Sequence, residues 1–108
     1  MEGFTYQDQI FASQKDKIRF IADKYGLWHQ LGKLSEECNE LSIECVKSVN
    51  EGMVRRDIIQ EIADVEILIE EIIHLTKLDR ALIDGYKTYK INRQLMRIQK
   101  EENNVQMS

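Results

Sequence analysis

The chain has 108 residues, of which 43% are apolar, and it carries a formal net charge of −4. This length predicts a single domain, 1–108, with a modest core that homo-oligomerisation would enlarge. The acidic balance argues against duplex nucleic acid as a partner, because binding to phosphates favours a basic face. The sequence shows no signal peptide and no apolar run long enough for a membrane, so we expect a cytoplasmic protein.

Helical periodicity dominates the sequence and predicts an all-α bundle of about four helices. The first predicted helix covers about 6–24 and stops before Gly26. The second covers about 27–50 and ends before Gly52. Glycine is the residue that most often ends a helix, because it adopts the left-handed backbone conformation without steric cost.

The third predicted helix, about 54–76, is apolar over most of its circumference. Such a helix should be the central one of the bundle. The fourth begins near Asp79, a favourable N-cap, and we expect it to fray after Gln99. There the segment 100–108 turns polar, so the predicted core spans about 6–99.

Two pairs of acids with the spacing i, i+3 are the strongest chemical signal. Glu37 and Glu40 lie on the second predicted helix, and Glu61 and Asp64 lie on the third. Both members of such a pair face the same way on a helix. Two adjacent helices would therefore focus four carboxylates on one point. Oxygen ligands of this kind suit Mg²⁺, with Mn²⁺ as a possible alternative.

The surroundings of these acids differ between the two helices. The apolar stripe of the third helix contains Ile58, Ile62, Val65, Leu68, Ile69 and Ile72. Glu61 falls inside it and Asp64 at its edge, where an unpaired carboxylate would need a proton or a cation. The stripe of the second helix contains Leu27, Leu31, Leu34, Leu41, Cys45 and Val49. Glu37 borders that stripe, although a solvated acidic face is the ordinary alternative for Glu36 and Glu37.

A di-iron carboxylate bundle is a second metal hypothesis. That site uses a Glu-x-x-His motif from each of two helices. This sequence contains one such motif, Glu71-Ile72-Ile73-His74. We therefore expect Glu71 and His74 to be surface residues, and we favour the all-oxygen set and a hard ion.

The acidic segments resemble the signature of the all-α nucleoside triphosphate pyrophosphatases. That superfamily includes MazG-like enzymes, dimeric dUTPases, dCTP pyrophosphatases and phosphoribosyl-ATP pyrophosphatases. The resemblance covers about 27–93 and rests on two motifs, Glu36-Glu37-x-x-Glu40 and Glu61-x-x-Asp64. It implies a bundle completed by dimerisation, Mg²⁺ at the four acids, and cleavage between the α- and β-phosphates.

The resemblance also implies roles for individual residues. Glu36 and Glu37 are the candidate catalytic residues, with Glu36 or a carboxylate not engaged by metal orienting the attacking water. The superfamily often closes its site with a late lysine and asparagine, for which the candidates are Lys87, Lys90, Asn92 and Arg93. Thr88 stands where that lysine usually lies, and a solvated helix face is the alternative. Trp28 could stack on a base or pack against a helix or subunit.

The sequence thus predicts a Mg²⁺-dependent pyrophosphohydrolase of the nucleotide pool, acting on nucleoside or deoxynucleoside triphosphates. Its expected partners are the nucleotide and further copies of the chain, as a dimer or a tetramer. The alternative is a catalytically silent helical dimer that serves as a binding or regulatory module. An open cleft with the acids and late cations together would favour the enzyme, and acids closed by Lys or Arg would favour the module.

Overall fold

The computed structural model describes residues 13–107, and within this range it contains four α-helices and no strand. This confirms the all-α prediction. The described residues divide into two compact units, the first ending at Lys77 and the second beginning at Leu78. None of the helices in this part of the chain is both long and apolar enough to cross a membrane. The single-domain organisation stays a prediction.

Glycine ends the first two helices, as the sequence predicts. Helix α1 spans Gln14–Tyr25, and it is followed by Gly26 with φ 85°. Helix α2 spans Leu27–Glu51, and it is followed by Gly52 with φ 72°. A side chain at either glycine would strain the backbone. The predicted start of the first helix, with the segment 6–12, lies outside the described residues.

The start of α1 is fixed by a side-chain cap. The Oγ of Ser13 accepts a hydrogen bond of 3.1 Å from the backbone N–H of Asp16. This contact satisfies one of the amide groups that the first turn of a helix leaves without an intrahelical partner.

The third helix begins later than its periodicity predicts. Helix α3 spans Asp57–Thr76, and it is followed by Lys77, a left-handed residue with φ 55°. The backbone N–H of Arg55 donates to the Oγ of Ser48 at 3.0 Å. Because this contact holds Arg55 in the connection between α2 and α3, the apolar Val54 does not start the helix.

The fourth helix, α4, spans Arg80–Met107. The Oδ1 of Asp79 accepts a 2.9 Å hydrogen bond from the N–H of Ala81, which confirms the predicted N-terminal cap. The helix continues past Gln99, where we expected fraying. The next three residues, Lys100, Glu101 and Glu102, have good helix propensity even without an apolar face to bury.

Helix α3 is central to the first unit, since its contacts with α1 and with α2 are both more extensive than the contact between α1 and α2. The fully enclosed apolar core there is small. Ala22 on α1 and Leu68 on α3 are its buried apolar side chains among residues 13–77. Many large apolar side chains of the helices in this unit are exposed, among them Trp28 at 82% and Val49 at 80%.

The contacts of α2 follow a seven-residue repeat. Its half-buried and buried residues, called the α2 seam below, are Leu27, Gln30, Leu34, Glu37, Leu41, Glu44 and Ser48. This is the spacing of a helix that meets an antiparallel neighbour along one line. The predicted apolar stripe was wrong for Leu31, Cys45 and Val49, which are exposed. The buried face of α2 instead includes four polar residues: Gln30, Glu37, Glu44 and Ser48.

Candidate metal centre

Three carboxylates converge where α2 meets α3. Glu37 comes from the α2 seam, and Glu61 and Asp64 come from α3. One oxygen from each of the three lies within 4.8 Å of the other two. The i, i+3 spacing places the two acids of α3 side by side. The structure thus brings together three of the four residues predicted as metal ligands.

Glu61 contributes a buried oxygen to this acidic group. Its Oε2 atom is buried and has no hydrogen-bond partner among residues 13–107. Burial raises the pKa of Glu61, and the neighbouring carboxyl group of Glu37 raises it further, followed by the charges of Asp64 and Glu40. A carboxylate oxygen in this position is stabilised by a proton or by a bound cation.

The remaining two acids of the predicted constellation lie outside the acidic group. Glu40 is exposed, although its charge contributes to the raised pKa of Glu61. The side chain of Glu36 is 68% exposed, and its Oε2 lies 3.3 Å from the Nζ of Lys33. Metal ligation by Glu40 and orientation of water by Glu36 therefore stay predictions.

The predicted substrate-binding residues are on exposed surface. Four of them lie on α4 in the second unit: Lys87, Lys90, Asn92 and Arg93. The guanidinium of Arg93 lies 5.8 Å from the ring centre of Tyr89. Trp28, in the first turn of α2, is 82% exposed. Binding of phosphate by the four and of a base by Trp28 stays a prediction.

Glu71 corrects one expectation, because it is 2% exposed and not a surface residue. Its Oε1 accepts a 2.8 Å hydrogen bond from the Nε2 of Gln30 on the α2 seam. The Oε1 of Gln30 in turn accepts from the Nδ1 of His29 at 2.7 Å. The prediction failed because the donor comes from another helix. The seven-residue interval between Gln30 and Glu37 was the signal that could have placed Gln30 in the interface with α3, where Glu71 lies.

His74 was also expected at the surface, and it is instead half-buried. Its Nε2 lies 2.8 Å from the Oδ1 of Asp23, so the pair connects α3 with α1. The two residues of the Glu71-x-x-His74 motif thus bond to different helices, Glu71 to α2 and His74 to α1. The preference for the all-oxygen set stays a prediction.

Arg55 is a contact residue that sequence reasoning missed. Its Nε donates to the Oε2 of Glu44 at 2.6 Å, and its Nη1 donates to the Oε1 of Glu51 at 2.7 Å. The hydrogen bond and charge of Glu44, followed by the charge of Glu51, raise the pKa of Arg55. These contacts close the end of the α2–α3 pair next to the connecting loop.

No protein-family model, curated protein or solved structure matches this chain. Membership in the pyrophosphatase superfamily therefore stays a proposal that rests on the two acidic motifs. The geometry of Glu37, Glu61 and Asp64 is the strongest structural support for a functional assignment.

Proposed function

We propose that this chain is a Mg²⁺-dependent pyrophosphohydrolase that converts nucleoside or deoxynucleoside triphosphates to the monophosphate and pyrophosphate. Its role would be to remove unwanted nucleotides from the pool. The observation that carries the proposal is the acidic group of Glu37, Glu61 and Asp64, with oxygens within 4.8 Å of one another. The resemblance of the two acidic motifs supplies the class of substrate and reaction.

The acidic group fits a hard divalent cation. Its ligands are all oxygens, they come from two helices, and the Oε2 of Glu61 lacks a protein partner within 13–107. No lysine or arginine of the described chain forms an ion pair with Glu37, Glu61 or Asp64. This favours an open ligand set over a closed structural cluster. Bound Mg²⁺ would neutralise charge on the phosphate oxygens.

The chain's own residues would divide the remaining tasks. Glu37, Glu61 and Asp64 would hold the ion, and Glu40 is the proposed fourth ligand. Glu36, adjacent to Glu37, would orient the attacking water. Its contact with Lys33 is exposed, and exposed ion pairs are weak enough to exchange for a substrate or a water.

The substrate would be bound mainly through its phosphates, by the late polar residues of α4, and less through its base. Losing one contact to a charged group costs roughly 1.5–3 kcal/mol. We therefore expect Lys90→Ala and Asn92→Ala to reduce turnover of several nucleotides alike, with Lys87 and Arg93 as further contacts. Trp28→Ala should instead change the ranking among bases, since an exposed indole offers a stacking surface.

The proposed assembly is a homo-oligomer. Apolar side chains such as Val49 and Val54, 80% and 73% exposed, exceed what the small core of the first unit encloses. Burial against another copy would add to a core that is modest for independent stability. The same apolar surface would also serve the alternative, a silent helical module. A stable monomer by light scattering at micromolar concentration would contradict the oligomer.

The deciding experiment is a screen for pyrophosphate release over canonical and modified nucleotides, with and without Mg²⁺. We expect Mg²⁺-dependent release by the wild type and none by Glu61→Gln. Glu66→Gln is the matched control, because Glu66 is an exposed acid of the same helix outside the acidic group. Absence of release from every nucleotide would favour the silent module.

A further inference from the structure

Helix α2 makes polar contacts with α3, and with the loop that leads into α3, at three levels. On the α2 side they involve Gln30, Glu37 and Glu44, which recur every seven residues along the α2 seam. Each of the three is half-buried or buried. Because a seven-residue interval is close to two helical turns, all three face the same neighbour.

The two outer levels are matched pairs. At one end, Gln30 on α2 donates to Glu71 on α3 at 2.8 Å. At the other end, Arg55, in the loop two residues before α3, donates to Glu44 on α2 at 2.6 Å. The middle level differs, since it brings Glu37 against other acids. The polar groups at both ends of the interface therefore have hydrogen-bond partners, whereas the acids between them repel one another.

We propose that the Gln30–Glu71 and Glu44–Arg55 pairs are positioning pairs. They fix the register of α2 along α3, hold Glu37 against the acids of α3, and so set the affinity of the acidic group for a divalent cation. This inference rests on the proposed function for its ligand.

Apolar packing does not supply this register by itself. The leucines of the α2 seam, Leu27, Leu34 and Leu41, are identical and recur at the same interval. Their dispersion contacts are non-directional, so they resist sliding and rotation of the helix weakly. Hydrogen bonds are directional, and a polar pair inside a helical interface is the best-attested device for fixing register.

The middle level needs such support. Repulsion between like charges pushes Glu37 away from the acids of α3 whenever no cation neutralises them. A ligand set must nevertheless stay within about 0.5 Å of its productive geometry to bind a metal tightly. Matched pairs on both sides of the acidic group hold it together against that repulsion.

The first test replaces one outer pair by apolar residues, in the double variant Gln30→Leu/Glu71→Leu. Replacing both partners of a buried hydrogen bond is often neutral for stability. We expect an unchanged or higher Tm with a roughly 10–100-fold loss of Mn²⁺ affinity, as large as the loss when a group that orients a metal ligand is removed. The inverted pair Gln30→Glu/Glu71→Gln keeps a donor and an acceptor and should restore the affinity. Equal Mn²⁺ affinity of wild type and double variant would overturn the inference.

A second measurement reports the register without metal. Spin labels at the exposed Cys38 of α2 and at Glu66→Cys of α3, in a Cys45→Ser background, give the distance between the helices. Labelled protein is diluted with unlabelled protein to suppress distances between copies. We expect the double leucine variant to broaden or shift this distance, and an unchanged distribution overturns the register role. If the distance changes but the wild type binds no Mn²⁺, the proposed function fails while the register role stands.

Discussion

Two glutamates of α3 face inward and meet opposite surroundings. Glu71 is enclosed and accepts a hydrogen bond of 2.8 Å from Gln30. Glu61 has an enclosed oxygen without a partner among the described residues, and acids surround it. Burial is common to both, so the partner is what separates a structural carboxylate from one that can take up a cation. The amide of Gln30 satisfies the carboxylate of Glu71. The carboxylate of Glu61 has no such donor, so it favours a proton or a bound cation.

The largest expected contrast is in metal affinity. Glu61→Gln should reduce Mn²⁺ affinity by more than about 100-fold, because losing a ligand should exceed the roughly 10–100-fold cost of losing an outer partner. Glu71→Gln should keep the affinity within a few fold, since a glutamine oxygen still accepts from Gln30. Isothermal titration calorimetry compares the two variants. Similar losses in both would remove the distinction between the two glutamates.

The next contrast is in stability. Glu71→Ala leaves the amide of Gln30 buried without its acceptor, which should lower the free energy of unfolding by about 1–3 kcal/mol. Glu66→Ala, at an exposed site of the same helix, should change it by no more than about 0.5 kcal/mol. Urea denaturation measures both. A Glu71→Ala protein as stable as the Glu66→Ala control would mean that the buried hydrogen bond contributes nothing.

The smallest contrast is in pH dependence without divalent cations. The pKa of Glu61 is raised in the folded chain, mainly by burial and by Glu37. Between the ordinary glutamate pKa, about 4.3, and that raised pKa, the folded state binds more protons than the unfolded state. The contribution of Glu61 to stability is therefore fully present below about 4.3 and is lost as pH rises through its raised pKa.

Glu61→Gln isolates that contribution. The free energy of unfolding of the wild type minus that of Glu61→Gln should decrease as pH rises across the window. Urea denaturation at several pH values in the presence of a chelator gives this difference. A difference that stays flat or increases with pH would show that the environment of Glu61 does not favour its protonated form.

The sequence predicts the helices well because their signals are local. Gly26 and Gly52 mark the ends of α1 and α2, and Asp79 caps α4, each through contacts within a few residues. The acidic spacing on α3 is local as well, so the proximity of Glu61 and Asp64 follows from helix geometry alone. The late start of α3 was missed because it depends on Ser48, in the preceding helix.

The contacts between helices were predicted less well. The contacts of Gln30 and Arg55 could not be predicted, because the role of a polar residue in an interface depends on a partner from another part of the chain. Hydrophobic periodicity placed Val49 in the core, but α2 carries more apolar residues than one neighbour can cover. The buried face of α2 is the one whose polar residues have partners outside the helix, so it depends on α2 and its neighbour together.

The like-charged middle of the α2–α3 interface bears on any attempt to engineer this chain. A selection for thermal tolerance alone should favour Glu61→Lys or Glu61→Arg, since either change would place a positive charge beside Glu37 and Asp64 and remove the orphaned oxygen. The resulting protein would be thermally more stable, but it would lack one of its three proposed metal ligands. Improvement of this fold and preservation of its chemistry therefore pull in opposite directions at one residue, and a stability screen needs a binding assay beside it.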